Sequence, residues 1–321
     1  MRLRSITLLS LAAASALLLS GCAGTGDGDA SASPAATDAA AVDLCDAQAA
    51  TGDAAESVVV DGEPGQTSTL SFDAPLDVDE LEVATVNEGD GAQVAAGDFI
   101  SYSLTAYSAE TGELIGQYGF EEGEMFPVQI SAETTYGQVF GCGHEGDRVV
   151  AVFPATEDYD GEVYVLDLLS IVPTAAWGEQ QDPVEGLPTV SLAEDGTPTI
   201  DVPDTDAPTE TTVTTLKKGD GYEVQSGDYV LIQYRGARWS TGELFDGGDT
   251  WADGTPYSAQ TTGFVPGFQQ ALEGQTVGSQ VLVVITPEDG YGEGEINEDD
   301  LVGETLVFVI DIIGAQHVES E

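Results

Sequence analysis

The chain has 321 residues and carries 58 acidic side chains against 7 Lys and Arg, a formal net charge of -51 at pH 7. This balance makes nucleic acid a poor partner, because phosphate binding requires clustered Lys and Arg. An apolar content of 41% is ordinary for a soluble globular protein. The length allows about two domains of roughly 100 to 200 residues each. We interpret the excess of acid as self-repulsion that keeps the protein soluble outside the cell.

The N-terminus has the pattern of an export signal. Arg2 and Arg4 precede an apolar run, Ile6–Leu19, whose length is typical of a secretory signal rather than of a membrane span. The run ends in Leu19-Ser20-Gly21-Cys22, which resembles a bacterial lipobox. We predict a signal peptide over residues 1–21 and a lipid on Cys22, which would hold the protein on the outer face of the cell membrane. The alternative is an ordinary signal peptide with a chance cysteine.

The cysteines bear on both disulfide and metal chemistry. With Cys22 lipidated, Cys45 and Cys142 remain as an even pair in an oxidising compartment, and we predict a disulfide between them. Two free thiols are the alternative. Cys142 and His144 lack a third nearby ligand, so we expect neither a metal nor a cofactor. The acids and glycines of Asp246–Asp253 do not match the EF-hand spacing, and they indicate a solvated loop rather than a calcium site.

The segment after the lipobox is rich in Ala, Gly, Ser, Thr and Asp. Such a composition buries too little apolar surface to offset chain entropy, and we predict a flexible tether over residues 22–55. From residue 56 onward, short alternating apolar patterns separated by Gly and Asp indicate strands and turns.

An internal repeat divides the rest of the chain. At a constant offset of 130 residues, Gly89-Asp90-Gly91 aligns with Gly219-Asp220-Gly221, Gly97-Asp98 with Gly227-Asp228, and Thr111–Leu114 with Thr241–Leu244. Near the ends of the copies, Val163–Asp167 aligns with Val307–Asp311. We predict two copies of one domain, a first over residues 56–174 and a second over 191–321, with a linker over 175–190.

The second copy shows both strand and helix signals. Tyr229–Tyr234, Gln280–Ile285 and Glu304–Ile313 are dense in β-branched and aromatic residues, which predicts strands. Pro266–Leu272 begins with a proline suited to a first helical position and is followed by Gly274, which predicts a helix. Because a helix of two turns is unstable alone, it must pack on the sheet. The predicted class is α+β, a curved antiparallel sheet wrapped around one short helix.

A set of short motifs follows in a fixed order through the second copy. They are Gly219-Asp220-Gly221, Gly227-Asp228-Tyr229-Val230, Gln233-Tyr234-Arg235-Gly236, Thr241-Gly242-Glu243-Leu244-Phe245-Asp246, Val265-Pro266-Gly267-Phe268, Val277-Gly278-Ser279, Pro287-Glu288-Asp289-Gly290-Tyr291-Gly292 and Leu306-Val307-Phe308. Together they resemble the FKBP family of peptidyl-prolyl cis-trans isomerases. The resemblance implies two FKBP-like domains, of which the second is the isomerase.

The resemblance also implies roles for individual residues. Asp246, Tyr291 and Phe268 would be catalytic, as rim carboxylate, rim hydroxyl and pocket floor. The substrate-binding walls would be Tyr234, Phe245, Trp251, Phe264, Val265, Ile296 and Phe308. No cofactor or metal is implied.

Two departures from the family pattern stand out. The floor position is Phe268, where many members have Trp, and the segment Gly247–Thr250 is about two residues longer than usual. The first copy departs further, because Leu104, Ile115 and Gly116 lie opposite Tyr234, Phe245 and Asp246. We therefore predict that the first copy is not catalytic.

The sequence thus predicts a monomeric, lipid-anchored isomerase that assists folding of exported proteins. Its partners would be proline-containing exported polypeptides and macrolide pocket ligands, with the membrane reached through the lipid. The runner-up is a non-catalytic, holdase-like polypeptide-binding lipoprotein. A third hypothesis is an acidic structural lipoprotein in which the aromatic residues serve only as core.

Overall fold

The computed structural model describes residues 43–157, 159–297 and 300–318, with the side chain of Asp246 left out. The predicted signal peptide, the lipid site at Cys22 and residues 22–42 of the predicted tether lie outside the described residues. Within the described ranges, no helix is long and apolar enough to cross a membrane.

The secondary structure consists of short helices and many strands. The helices are α1 (Leu44–Ala47), α2 (Asp53–Ser57), α3 (Thr135–Phe140), α4 (Thr250–Asp253) and α5 (Pro266–Leu272). The strands are β1 (Val59–Asp61), β2 (Thr69–Ser71), β3 (Glu82–Asn87), β4 (Phe99–Ser108), β5 (Leu114–Tyr118), β6 (Val128–Gln129), β7 (Arg148–Phe153), β8 (Glu162–Ile171), β9 (Glu179–Gln180), β10 (Thr189–Leu192), β11 (Pro198–Asp201), β12 (Thr212–Lys218), β13 (Tyr229–Arg238), β14 (Leu244–Asp249), β15 (Tyr257–Gln260), β16 (Gln280–Ile285) and β17 (Leu306–Gln316).

Two sheets form the two domains, and the ladders between their strands are antiparallel. The first sheet has the order β3-β7-β8-β4-β5, with β6 beside β4. The second has the order β14-β13-β17-β16-β12-β9, with β15 beside β13. The predicted α+β class with two related domains is confirmed. We call residues 43–174 the first domain and residues 175–318 the second domain.

One face of each sheet packs against a helix, and we call it the helix face. In the second domain, Phe268, Ala271 and Leu272 of α5 pack with Val281 and Val283 of β16. In the first domain, α3 occupies the same place against β7 and β8. Helix α5 has the predicted bounds: its proline stands at the first helical position, and a glycine at φ 80° follows its end at position 274.

The opposite face of each sheet is covered by a β-hairpin, and we call it the hairpin face. Val60 and Leu70 of the β1–β2 hairpin pack on the first sheet. Val190 and Ile200 of the β10–β11 hairpin, at the same 130-residue offset, pack on the second. All residues of β16 are buried, because this strand is covered on both faces. This explains why its sequence is a continuous apolar run rather than an alternating one.

The predicted tether over 22–55 is wrong for residues 43–55. Leu44 of α1 is buried in the core with Phe140, and Ala55 of α2 is fully buried. The backbone N–H of Ala54 donates to Glu82 Oε2 at 2.9 Å. Cys45 is disulfide-bonded to Cys142, which ties α1 to the end of α3. Single apolar residues that pack into the core hold this segment in place, and the average composition of the segment does not reveal them.

The predicted linker over 175–190 also packs against the second sheet rather than hanging free. The N–H of Ala176 donates to the buried Asp311 Oδ2 at 2.8 Å, and Gly178 N–H donates to Gly278 O at 2.9 Å. Burial raises the pKa of Asp311, and β9 adds an edge strand beside β12. These residues therefore belong to the second domain.

Candidate active site

The pocket is built where β13 and β17 lie side by side over α5. Tyr234 is paired with Ile310, and Gly236 with Phe308. Because directly opposed residues of an antiparallel pair share a face, Tyr234 and Phe308 both project from the helix face. There they meet Phe268 of α5.

Five rings meet at this point, and we call them the ring cluster: Tyr234, Phe245, Phe264, Phe268 and Phe308. The Phe268 ring is stacked on Phe264, with centroids 4.6 Å apart and planes at 15°. It meets Tyr234 and Phe308 edge-on, at 5.6 Å and 5.0 Å. Phe245 meets Phe308 edge-on at 5.6 Å. These are the separations that aromatic pairs favour.

Burial separates floor from walls within the ring cluster. Phe268 and Phe308 are only 3% and 5% exposed, so they form the floor. Tyr234, Phe245 and Phe264 are half-buried, so they form the walls. Val265, at the entry to α5, packs against the same core, and its predicted wall role stays a prediction.

Two glycines make room for the Phe245 ring. A Cβ added at Gly236 would come within 2.7 Å of Phe245 Cζ and of Phe308 Cε1. One added at Gly248 would lie 2.7 Å from Phe245 Cε2. Contacts this short do not occur in folded proteins, so these positions require glycine for the rings to pack as they do.

Two exposed tyrosines, Tyr291 and Tyr257, stand at the rim of the pocket. Tyr291 is 50% exposed and follows a 3₁₀ turn, Pro287–Asp289, which is closed by the Gly292 N–H donating to Pro287 O at 2.8 Å. Burial raises the pKa of Tyr234, and the nearby phenols of Tyr257 and Tyr291 raise it further. Ile296, on the loop after Tyr291, is exposed, so its predicted wall role stays a prediction.

Tyr257 was missed by the sequence reasoning. It begins β15, and its ring lies 6.3 Å from Tyr234 and 6.1 Å from Phe264. An aromatic residue opening a short strand just before the turn into α5 was the available signal. That Tyr257 lies beside the ring cluster follows only from the pairing of β15 with β13, in which Tyr257 is opposite Ile232.

Comparison with known proteins agrees with this geometry. The family model for the FKBP-type peptidyl-prolyl cis-trans isomerase matches residues 221–313. A probable FK506-binding protein of Corynebacterium glutamicum is 35% identical over 118 residues, which are 37% of this chain and 98% of the relative. The chain belongs to the FKBP family. An FK506-binding protein of Streptomyces anulatus is 32% identical over 119 residues, 36% of this chain and 94% of that protein.

A solved structure shows a more distant similarity to this FKBP protein. The crystal structure of FkpA from Escherichia coli matches with a TM-score of 0.30 and 22% identity, over 40% of this chain and 51% of that one.

Trp251 is a predicted wall residue of this FKBP protein, and its ring lies near the β10–β11 hairpin. It lies on α4, and a Cβ at Gly196, in the β10–β11 hairpin, would come within 3.4 Å of its Cη2. Thr250 takes the inward position instead: it is buried and donates to Gln233 Oε1 at 2.6 Å. Strand β14 continues to Asp249, whose carboxylate accepts from the N–H groups of Trp251 and Ala252 and so caps α4. The predicted wall role of Trp251 stays a prediction.

Asp246 lies on β14, between Phe245 and Gly247. Its side chain is outside the described part of the structure, so its catalytic role stays a prediction. Among the described residues, no group of three or more His, Cys, Asp or Glu is arranged to hold a metal ion. What the described site offers is an apolar, aromatic surface with hydroxyls at its rim, which suits binding and desolvation of a peptide segment.

Proposed function

We propose that the second domain catalyses cis-trans isomerisation of X-Pro bonds in exported polypeptides and so assists their folding. The observation that carries this proposal is the ring cluster around Phe268, which lies in the part of the chain that matches the isomerase family. The side chains of that cluster supply neither a catalytic nucleophile nor a set of metal ligands. Rotation about an amide C–N bond requires neither a nucleophile nor a metal ion.

The proposed chemistry follows from the electronic structure of the amide. Rotation about the C–N bond faces a barrier of about 18 to 20 kcal/mol, because the planar form is conjugated. That planar form is also the more polar one and is better stabilised by hydrogen bonds from water. An apolar pocket removes those bonds and therefore favours the twisted form relative to the planar one. The Tyr291 hydroxyl and the Asp246 carboxylate would hold the peptide in one orientation while the bond rotates.

A second candidate function is peptide binding without catalysis. It is favoured by the smaller floor ring at Phe268 and by the longer rim segment Gly247–Thr250. Such a domain would act as a holdase, retaining the fold and an apolar surface but giving little acceleration.

The test is catalysed cis-trans exchange in a short proline peptide, measured by NMR with the full chain, together with titration of peptide binding. We expect exchange faster than the uncatalysed rate. Binding without acceleration would support the holdase alternative. Neither binding nor acceleration, with no binding of a macrolide pocket ligand, would leave only the structural lipoprotein.

We further propose that the protein is a monomer anchored by a lipid on Cys22 to the outer face of the cell membrane. The lipobox-like Leu19-Ser20-Gly21-Cys22 supports the lipid anchor. Replacing Cys22 with Ala should move the protein from the membrane fraction to the soluble fraction. An unchanged membrane fraction would contradict the lipid anchor.

A further inference from the structure

The first domain carries an aromatic surface of its own on the helix face. Tyr118 is paired with Leu104 across β5 and β4, and Tyr164 is paired with Ala106 across β8 and β4. Leu104 and Tyr164 pack against the helix-face core. Because opposed residues share a face, Tyr118 projects on the same side.

This surface occupies the place that the ring cluster has in the second domain. Tyr164 stands where Phe308 stands, since each lies opposite the matching residue of β4 or β13, Ala106 or Gly236. Two residues further along β8, Glu162 is paired with Phe153, whereas at the matching place in the second domain Leu306 is paired with Ile285. A carboxylate therefore replaces a buried leucine at the edge of the aromatic surface.

The contacts make this a combined aromatic and acidic site. The Phe153 and Tyr164 rings lie 5.0 Å apart, and the Tyr164 hydroxyl donates to Glu162 Oε2 at 2.6 Å. Burial, followed by this hydrogen bond, raises the pKa of Tyr164, and the phenols of Tyr136 and Tyr118 add to the shift. Tyr118 remains 45% exposed, so the surface is open on that side.

Among the described residues of the first domain, no Lys or Arg side chain is free to neutralise Glu162. Arg148 is the sole Lys or Arg in residues 43–174 of the sequence. It is 2% exposed and is bound by its Nε and Nη2 to Asp167. The loop leading into β8 adds the exposed acids Glu157 and Asp160. The electrostatic potential here attracts cations.

We propose that this surface, formed by Tyr118, Phe153, Tyr164 and Glu162, binds a Lys or Arg side chain of an unfolded polypeptide. The aliphatic stem packs on the rings while the cationic head meets the ring faces and the Glu162 carboxylate. The first domain thereby selects basic segments of a client and needs no proline in them. This role is separate from isomerisation by the second domain.

The test is fluorescence anisotropy of a labelled, unstructured, proline-free peptide that carries one Lys beside a Leu, titrated with the full chain. A matched peptide has norleucine in place of Lys. Glu162→Gln removes the charge but keeps a hydrogen-bond acceptor, and Glu56→Gln removes one exposed charge from α2 as the control. At about 0.15 M ionic strength, screening confines the comparison to local charges.

We expect the Lys peptide to bind about fivefold or more tightly than the norleucine peptide, and Glu162→Gln to remove that preference. Glu56→Gln should preserve it. Equal affinity for the two peptides, or equal effects of the two variants, would overturn the proposal.

A second pair of variants tests the same surface without changing Glu162, so that the test stands even where Glu162→Gln fails to fold. Tyr118→Ser and Leu114→Ser both alter exposed residues of β5. Leu114, however, is paired with Tyr107, which packs on the hairpin face. Only Tyr118→Ser should weaken binding of the Lys peptide, and equal binding by both would count against the site. Because no peptide contains proline, failure here is distinguishable from failure of the isomerase.

Discussion

Replacing Arg148 with Met is expected to lower the free energy of unfolding of the first domain by about 3 to 5 kcal/mol. The guanidinium is buried and paired with the equally buried Asp167. It also donates to three backbone carbonyls of the loop before β2: Nη1 to Gly62 O at 2.7 Å, and Nη2 to Glu63 O at 2.9 Å and Gln66 O at 3.1 Å. Its removal leaves a buried carboxylate and three carbonyl groups without these partners.

The measurement is denaturant unfolding followed by hydrogen exchange at the amides of β7 and β8, which report on the first domain. Lys218→Met, at an exposed position of the second domain, is the control and should change stability by less than about 0.5 kcal/mol. The double variant Arg148→Met with Asp167→Leu should recover part of the loss, because no buried charge is then left unpaired. A single Arg148→Met variant as stable as the control would contradict this account of the first domain.

Short sequence patterns predicted those elements of the second domain whose ends are set by neighbouring residues in the sequence. The bounds of α5 and β16 agree with the structure, because Pro266 and Gly274 delimit the helix and β-branched residues fill the strand. Strand β17 was predicted over Glu304–Ile313 and observed over Leu306–Gln316. Its end is set by pairing with the start of β13, where Gln316 lies opposite Tyr229. The sequence of β17 alone does not indicate this pairing.

Features that depend on tertiary docking were harder to predict. Residues 43–55 were predicted to belong to a flexible tether and residues 175–190 to a linker, yet Leu44, Ala55 and Ala176 are buried. Likewise, Thr250 is buried and donates to Gln233 Oε1 at 2.6 Å. Composition does not reveal these buried contacts.

The first copy shows the limit of comparing two repeats position by position. At the fixed offset, Leu104 lies opposite Tyr234, which predicted loss of the cluster. The structure instead fills that face with Tyr118 and Tyr164, from strands on either side of β4. An aromatic surface can therefore persist although individual positions change, because different strands supply the rings.

Phe268→Leu tests the central claim that the ring cluster is the catalytic surface. Leu keeps an apolar side chain but loses the flat ring that stacks on Phe264 and meets Tyr234 and Phe308. We expect kcat/KM for a proline peptide to fall about tenfold or more, about 1.4 kcal/mol of transition-state stabilisation. The matched control is Phe140→Leu, because Phe140 is also a buried helical phenylalanine, 1% exposed on α3 of the first domain. Both changes should cost a similar amount of stability.

The decisive measurement is the catalysed cis-trans exchange rate of a proline peptide with wild-type protein and these two variants, at a temperature where all three are folded. We predict acceleration by the wild type, the same acceleration by Phe140→Leu, and a fall of about tenfold or more for Phe268→Leu. No acceleration by the wild type, or an equal fall in both variants, would contradict catalysis by the ring cluster.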